Sequence, residues 1–224
     1  MGSEKKMEQP NLANLATQWP PPDRFAALEQ YRQRATVYDF ELAIFEPIRR
    51  RAIERLGLSI GDTVIDVGCG TGLSLARLRH IIRANGEIIG IEQSSEMIER
   101  ARNRVERNRW SNVTLLESPV EEAAIPRLAD AALFHFTHDI LRTPSAVANV
   151  MRHLKPGARV VASGLKWAAP WQFATNAMVL QAAMRSVTSL EGLDEPWNNL
   201  ASLVKTVSVE PMLSGGVYVA TAVV

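Results

Sequence analysis

The chain has 224 residues, 46% of them hydrophobic and 22% charged, an ordinary globular composition that excludes wholesale disorder and fibrous repeats. Its formal net charge is +1, from 25 basic and 24 acidic residues, so the overall balance exerts no pull toward nucleic acid or an anionic membrane. The single cysteine, Cys69, excludes an intrachain disulfide framework and a cysteine-based zinc cluster, and it fits a reducing, cytoplasmic setting.

Residues 1–22 read as a flexible leader. They are charged at first, lack the apolar core of a signal peptide, and close on Trp19-Pro20-Pro21-Pro22. No apolar run approaches the roughly 18 residues that span a bilayer. Asp23 is a plausible N-cap for a helix reaching about Ala35. A second helix is expected from about Phe40 to Leu56, with Leu42, Phe45, Ile48, Ala52, Ile53 and Leu56 near one face. Pro47 belongs near its start or at a kink, and Gly57 looks like its stop.

From residue 60 the period changes. Short β-branched runs at 63–67, 87–91, 113–116, 131–136 and 159–163 alternate with helical patterns at 73–82, 95–108 and 144–154. Residues 155–158, Lys155-Pro156-Gly157-Ala158, read as a turn. Such alternation predicts a parallel sheet with helices on both faces. Residues 166–203 are irregular or helical and rich in Trp, Met and Ala. Strands at 204–210 and 217–223, joined by 211–216, form an antiparallel pair at one side of the sheet.

The strongest local signal is Asp66-Val67-Gly68-Cys69-Gly70-Thr71-Gly72, where a strand runs into a glycine turn and then a helix. Glycines let a ligand lie against bare backbone, and the helix that follows offers unpaired amides. A dinucleotide fingerprint would want a glycine where Leu73 stands, and Asp66 would repel a pyrophosphate while suiting a cationic group. These two residues argue against a nicotinamide oxidoreductase. Glu92 follows the second strand, and its two oxygens can accept both hydroxyls of a ribose.

Together these features resemble the class I S-adenosylmethionine-dependent methyltransferases, over residues 60–224. The glycine turn is similar to that family's first motif, Glu92 to its ribose-binding acid, and the terminal strand pair to its reversed last strand. The resemblance implies a Rossmann-like, doubly wound α/β sheet of seven strands, mostly parallel with an antiparallel C-terminal strand. It implies S-adenosyl-L-methionine as cofactor, leaving S-adenosyl-L-homocysteine as product. The implied cofactor contacts are Asp66, Gly68, Cys69, Gly70, Gly72, Glu92 and Gln93. The adenine loop is Ser118-Pro119-Val120, with Ser118 where the family usually has an acid. Met97 either packs on the adenine or fills the core. Phe136, at the end of the fourth strand, completes the set.

The segment Thr137-His138-Asp139 lies where the resemblance puts the reacting methyl group. His138 is placed as a general base, with Asp139 orienting it or touching the acceptor. The bland alternative is a helix cap at His138 and an Asp139–Arg142 pair. His135 reads as structural. An Asn/Asp-Pro-Pro-Tyr sequence, the mark of base and glutamine amino-methylation, is not there, and nucleic acid is not an expected partner. Tyr31 and Tyr38 on lid helices within 23–59 are candidate aromatics for the sulfonium, Tyr38 among the catalytic candidates. Residues 166–203 read as a substrate lid, with plain core as the alternative. No metal site is expected.

The resulting expectation is an enzyme of the methyltransferase class that N- or O-methylates a small molecule, with a lipid headgroup amine or a quinone-like compound among the acceptors. The alternative is a cofactor-binding protein without transferase activity, acting through protein partners. A monomer or homodimer, with peripheral membrane contact open to it, fits the composition.

Overall fold

A computed structural model describes residues 45–224. The first helix, α1 (Glu46–Leu56), starts with Pro47 in its first turn, where a missing N–H costs nothing, and stops at Gly57 in the left-handed conformation (φ 59°, ψ 40°). Leu42, Tyr31 and Tyr38 lie outside the described residues, along with the leader and the helix expected after Asp23.

Seven strands follow: β1 (Thr63–Val67), β2 (Glu87–Glu92), β3 (Val113–Glu117), β4 (Ala129–His135), β5 (Leu154–Leu165), β6 (Val207–Met212) and β7 (Val217–Val223). They form one sheet in the order β3-β2-β1-β4-β5-β7-β6. All pairs from β3 across to β5 are parallel, and β7 runs antiparallel between β5 and β6. The order reverses between β1 and β4, so the crevice that receives ligands in such sheets opens at their carboxyl ends.

The intervening helices are α2 (Leu75–Ile82), α3 (Ser95–Arg107), α4 (His138–Leu141), α5 (Pro144–Arg152), α6 (Phe173–Ser186) and α7 (Asn198–Ala201). Strand alternation splits the core in two. Val64, Ile88, Leu133, Val161 and Val219 pack with Ile48, Ile53 and Leu56 of α1, Leu78 of α2 and Val179 of α6. Ile65, Ile89, Phe134, Val160 and Tyr218 pack with Val147 and Val150 of α5 and Leu200 of α7. Each fully buried aliphatic side chain contributes about 1.5–3 kcal/mol by leaving water.

Two expectations are corrected. Residues 155–158 lie inside β5 rather than in a free turn. Pairing jumps from Leu154 to Arg159 on β5 while β4 advances only from Ala129 to Ala131, so the segment bulges out of register. Lys155 reaches across it to Asp130 at 2.7 Å. The connector before the last strand is also shorter than expected. Pro211 and Met212 are in β6, which is tolerated because β6 is an edge strand that pairs only with β7.

Candidate active site

The glycine loop lands on β2. The Cys69 N–H donates to the Ile91 carbonyl at 2.9 Å. Gly90 makes room for it, since a Cβ there would sit 2.7 Å from Leu115 Cδ2 and 3.0 Å from Cys69 Sγ. Gly68 has φ +64°, and a Cβ on it would meet Thr137 Cγ2 at 2.7 Å and Ile140 Cδ1 at 2.8 Å. A side chain at 68 is therefore refused twice, by the backbone and by the segment after β4. Burial, together with Asp66 and Glu92, pushes the Cys69 thiol well up, so it stays protonated and acts as a small spacer.

Glu92 ties this loop to the next helix. Its Oε2 accepts from the Gly70 N–H at 3.0 Å and its Oε1 from the Ser94 N–H at 2.8 Å. Each oxygen keeps a further lone pair, which is the capacity a pair of ribose hydroxyls needs. Burial raises the Glu92 pKa, and the amides of Ser94, Gly70 and Gln93 pull it back. Ser94 caps α3 by accepting from the Met97 N–H at 3.4 Å. Met97 is buried, and Gln93 is half-buried beside Glu92. The Ser118 N–H donates to the Glu92 carbonyl at 3.1 Å, so the loop 118–120 does run alongside. Ser118 Oγ donates to the Pro119 carbonyl at 2.9 Å and keeps lone pairs free to accept. Val120 turns into the core, and its carbonyl accepts from Asn149 Nδ2 at 2.7 Å.

Asp66 is 2% exposed, and its Oδ2 has no partner. Burial lifts its pKa to about 7; Arg49 lowers it and Glu92 raises it further. At neutral pH this carboxyl is poised between charged and neutral, ready to ionise against a cation.

Past β4 the chain strains to turn. Phe136 has φ +56°, unusual for a bulky residue, and its N–H donates to the Ser163 carbonyl at 2.7 Å. Its ring lies 4.7 Å from that of Phe45 and 4.9 Å from that of His135. His135 Nδ1 meets Ser163 Oγ at 2.8 Å, and burial, then Arg49, lowers its pKa to about 3.

His138 opens α4. Its Nε2 lies 3.0 Å from the Glu191 carbonyl. A carbonyl only accepts, so Nε2 carries the hydrogen and Nδ1 is a bare acceptor, buried and without a partner. Burial lowers the His138 pKa to about 4, against a rise from Glu191, with Arg142 lowering it as well. Asp139 does not orient the ring. Its Oδ2 accepts from the Thr188 N–H at 3.2 Å, while Arg142 pairs with the Glu191 carboxylate at 3.1 Å. Residues 188–191 thus strap onto α4 through Thr188 and Glu191, and Arg142 also acts electrostatically on Asp139. A small cavity beside His138 is lined by Phe136, Leu165, Val187 and Tyr218.

The aromatic load of 166–203 divides. Trp197 meets Tyr218 edge-on with ring centroids 4.9 Å apart, and Trp167 packs on the core. Trp171, Phe173 and Met184 remain 75%, 80% and 70% exposed on and before α6. No acidic residue occurs between Lys166 and Leu190.

With this geometry in hand, the comparisons with known proteins decide the family. A family model described as "Methyltransferase domain" matches residues 58–197. The chain belongs to the class I S-adenosylmethionine-dependent methyltransferases. It is similar to demethylmenaquinone methyltransferase of Tropheryma whipplei, 33% identical over 114 residues, covering 50% of this chain and 46% of that protein. It is also similar to 2-phytyl-1,4-naphtoquinone methyltransferase of Trichormus variabilis, 26% identical over 118 residues and covering 50% of each. The chain spans about half the length of these curated relatives. Among solved structures, N-methyltransferase NodS from Bradyrhizobium japonicum, in complex with S-adenosyl-L-homocysteine, superposes with a TM-score of 0.61. That match covers 88% of this chain and 97% of NodS at 16% identity, a likeness of fold.

The methyltransferase cofactor is S-adenosyl-L-methionine, and the residues present fit it. The bare glycine loop, the Glu92 oxygens and the unpartnered Asp66 Oδ2 offer backbone, ribose-type acceptors and a cation-type acceptor in sequence along one edge. Among the described residues no cluster of three or more His, Cys, Asp or Glu could hold a metal ion, and no helix is long and apolar enough to cross a membrane.

Arg49, Gly90, Thr188 and Glu191 were not legible as site residues. Arg49 did carry a signal: it is a charge on the same helical stripe as Ala52, Ile53 and Leu56, and such a residue is buried with a purpose or not at all. Thr188 and Glu191 lie in an irregular segment with no periodicity to mark them.

Proposed function

We propose that this methyltransferase acts on a small, ring-bearing acceptor of the quinone or phenol type, using His138 as the proton acceptor. The observation that carries the reading is the His138 ring. One nitrogen is held by the Glu191 carbonyl, the other is left without a partner, and the residue lines a small cavity with Phe136, Gly164, Leu165, Ser186, Val187 and Tyr218.

The bound cofactor supplies an electrophilic methyl group on a sulfonium. The protein's part is to align the acceptor, exclude water and take a proton. Burial keeps His138 neutral above about pH 4, so its Nδ1 is available across the physiological range. An acceptor hydroxyl donating to Nδ1 loses its proton there as the new bond to methyl forms. Most of the side chains lining the cavity are apolar, which supports an apolar acceptor over a charged amine. Two of the relatives act, by name, on menaquinone-type and naphthoquinone-type compounds, which supports the same class. The exposed Trp171, Phe173 and Met184 and the acid-free stretch around them support an apolar acceptor reaching the site past α6.

The test is methyl transfer from labelled S-adenosyl-L-methionine to a panel of hydroquinones, naphthols, alkylamines and phospholipid amines. Labelled ring product from the first two groups is expected. Transfer confined to the amines would overturn the acceptor class, and no transfer to any of them would favour a binding protein.

A further inference from the structure

One buried hydroxyl lines the acceptor cavity without a part in the proton transfer at His138. β7 runs antiparallel to β5, so its first residues lie at the carboxyl ends of β4 and β5, where Tyr218 pairs with Gly164. Tyr218 is 1% exposed and belongs to the core cluster of Phe134 and Val160, with Trp197 edge-on against its ring.

The hydroxyl end of this ring reaches over Gly164. A Cβ on Gly164 would lie 3.6 Å from Tyr218 Cε1, 3.8 Å from its hydroxyl oxygen and 3.9 Å from Phe136 Cα. The absent side chain leaves a gap between the phenol of β7 and the segment that leads into His138. Phe136, His138, Gly164 and Tyr218 all line the cavity at that point.

A buried tyrosine hydroxyl ordinarily has a hydrogen-bond partner, because leaving one unmade is costly. Among the described residues the Tyr218 hydroxyl has none. Burial alone pushes its pKa up, so the phenol keeps its proton and remains a donor. Ser186 lines the same cavity, but its Oγ already donates to the Ala182 carbonyl at 2.8 Å. Two lining residues therefore carry uncommitted polar atoms of opposite kind. His138 has an acceptor, Nδ1, and Tyr218 has a donor. Leu165, Val187 and Phe136 supply apolar lining around them. One acceptor and one donor in apolar surroundings match a ring that bears two oxygens, one giving up a proton and one keeping its lone pairs.

We propose that the Tyr218 hydroxyl donates a hydrogen bond to a second oxygen of the acceptor, one that does not receive the methyl group, and so selects ring compounds with two oxygens. The proposal rests on the acceptor class given above, and the experiment separates the two. Naphthols carrying a methoxy group are compared, ring position by ring position, with naphthols carrying an ethyl group there. Each pair has nearly one shape and differs in a single hydrogen-bond acceptor. Labelled methyl transfer is measured on the wild-type chain and on Tyr218→Phe. At one ring position the wild-type chain should prefer the methoxy compound by about tenfold or more in kcat/KM, because the ethyl compound leaves a buried donor unpaired. In Tyr218→Phe that ratio should fall to within about twofold of unity, with no drop in the denaturation midpoint. Where Tyr218→Phe does not fold, Gly164→Ala carries the test. Its Cβ makes only ordinary contacts at 3.6–3.9 Å yet stands over the hydroxyl, so the same selective loss is expected at smaller size. A wild-type chain without preference at any position, or a preference that survives in the variant, overturns the role of Tyr218 and leaves the acceptor class standing. An equal loss on both compounds with a lower denaturation midpoint makes the hydroxyl structural and overturns it too. Transfer to neither series by the wild-type chain brings down the acceptor class itself, and the proposal with it.

Discussion

The two ends of the site are built differently. At the donor end the working groups are backbone amides and two carboxylates, all within the stretch from Asp66 to Ser94, and the loop is held by short-range bonds to β2 and to Glu92, with Arg104 Nε of α3 donating to the Thr71 carbonyl at 3.0 Å. At the proposed acceptor end the candidate groups are side chains held from a distance: His138 by Glu191 and Asp139 by Thr188, both about 50 residues on in sequence. The donor end leaves little to vary, because glycine and a buried carboxylate admit few substitutes. The acceptor end hangs on a strap and an exposed helix, which is where substrate choice can change without disturbing the loop.

Five variants would break or sharpen that contrast. The largest effect belongs to the acceptor end. His138→Asn should cut kcat by about 10²–10⁴-fold while calorimetric affinity for the donor is unchanged. A parallel fall in both would make His138 a structural residue.

Next is Gly68→Val, which forces a branched side chain into positive φ and into Thr137 and Ile140. Donor binding should be lost, and chemical denaturation should show about 2–4 kcal/mol less stability. Glu92→Ala should follow, with roughly hundredfold weaker donor binding by calorimetry, since it removes the acceptor for two loop amides as well as for the ligand.

Asp66→Asn tests the donor end through pH. The folded pKa of Asp66 is about 7, above its ordinary value, so its stabilising contribution is complete at low pH and is lost as pH rises toward 7. Denaturation of the Asn variant should therefore be less sensitive to pH between about 4 and 7, and the variant should gain up to ~4 kcal/mol at pH 8. It should bind the donor more weakly all the same, a trade of function against stability. For the wild-type chain, kcat/KM for the donor should rise through about pH 7 as Asp66 ionises.

The smallest effect is expected on the exposed stripe. A Trp171→Ser, Phe173→Ser double variant should raise KM for an apolar acceptor several-fold and leave stability within about 0.5 kcal/mol, because neither ring is buried. An unchanged KM in the acceptor assay would detach α6 from substrate entry.

The same contrast governs what the sequence made legible. The seven-stranded sheet could be read because each β-branched run was short, apolar and bounded by glycine or a turn. The loop from Asp66 to Gly72 with Glu92 could be read because its chemistry is local. The bulge at 155–158 was missed since Pro156 and Gly157 signal a turn whether or not the flanking chain stays paired. The partners of His138 and Asp139 were out of reach for a different reason: they are long-range contacts from an irregular segment. Arg49 falls between these cases. Its position on an apolar stripe marked it as buried, but only the sheet brings it next to Asp66 and His135.

One consequence of the strand order concerns how this sheet can grow. β6 closes one side, and Pro211 within it has no N–H to offer a further strand. Arg51 and Arg55 of α1 converge on the neighbouring Glu210, which places fixed charge along that margin. Edges protected in this way resist strand-to-strand aggregation. Among the described residues the other margin, β3, is the one that could template an added strand, and it lies beside the donor loop rather than the acceptor strap. Self-association through the sheet would therefore be felt first in cofactor binding.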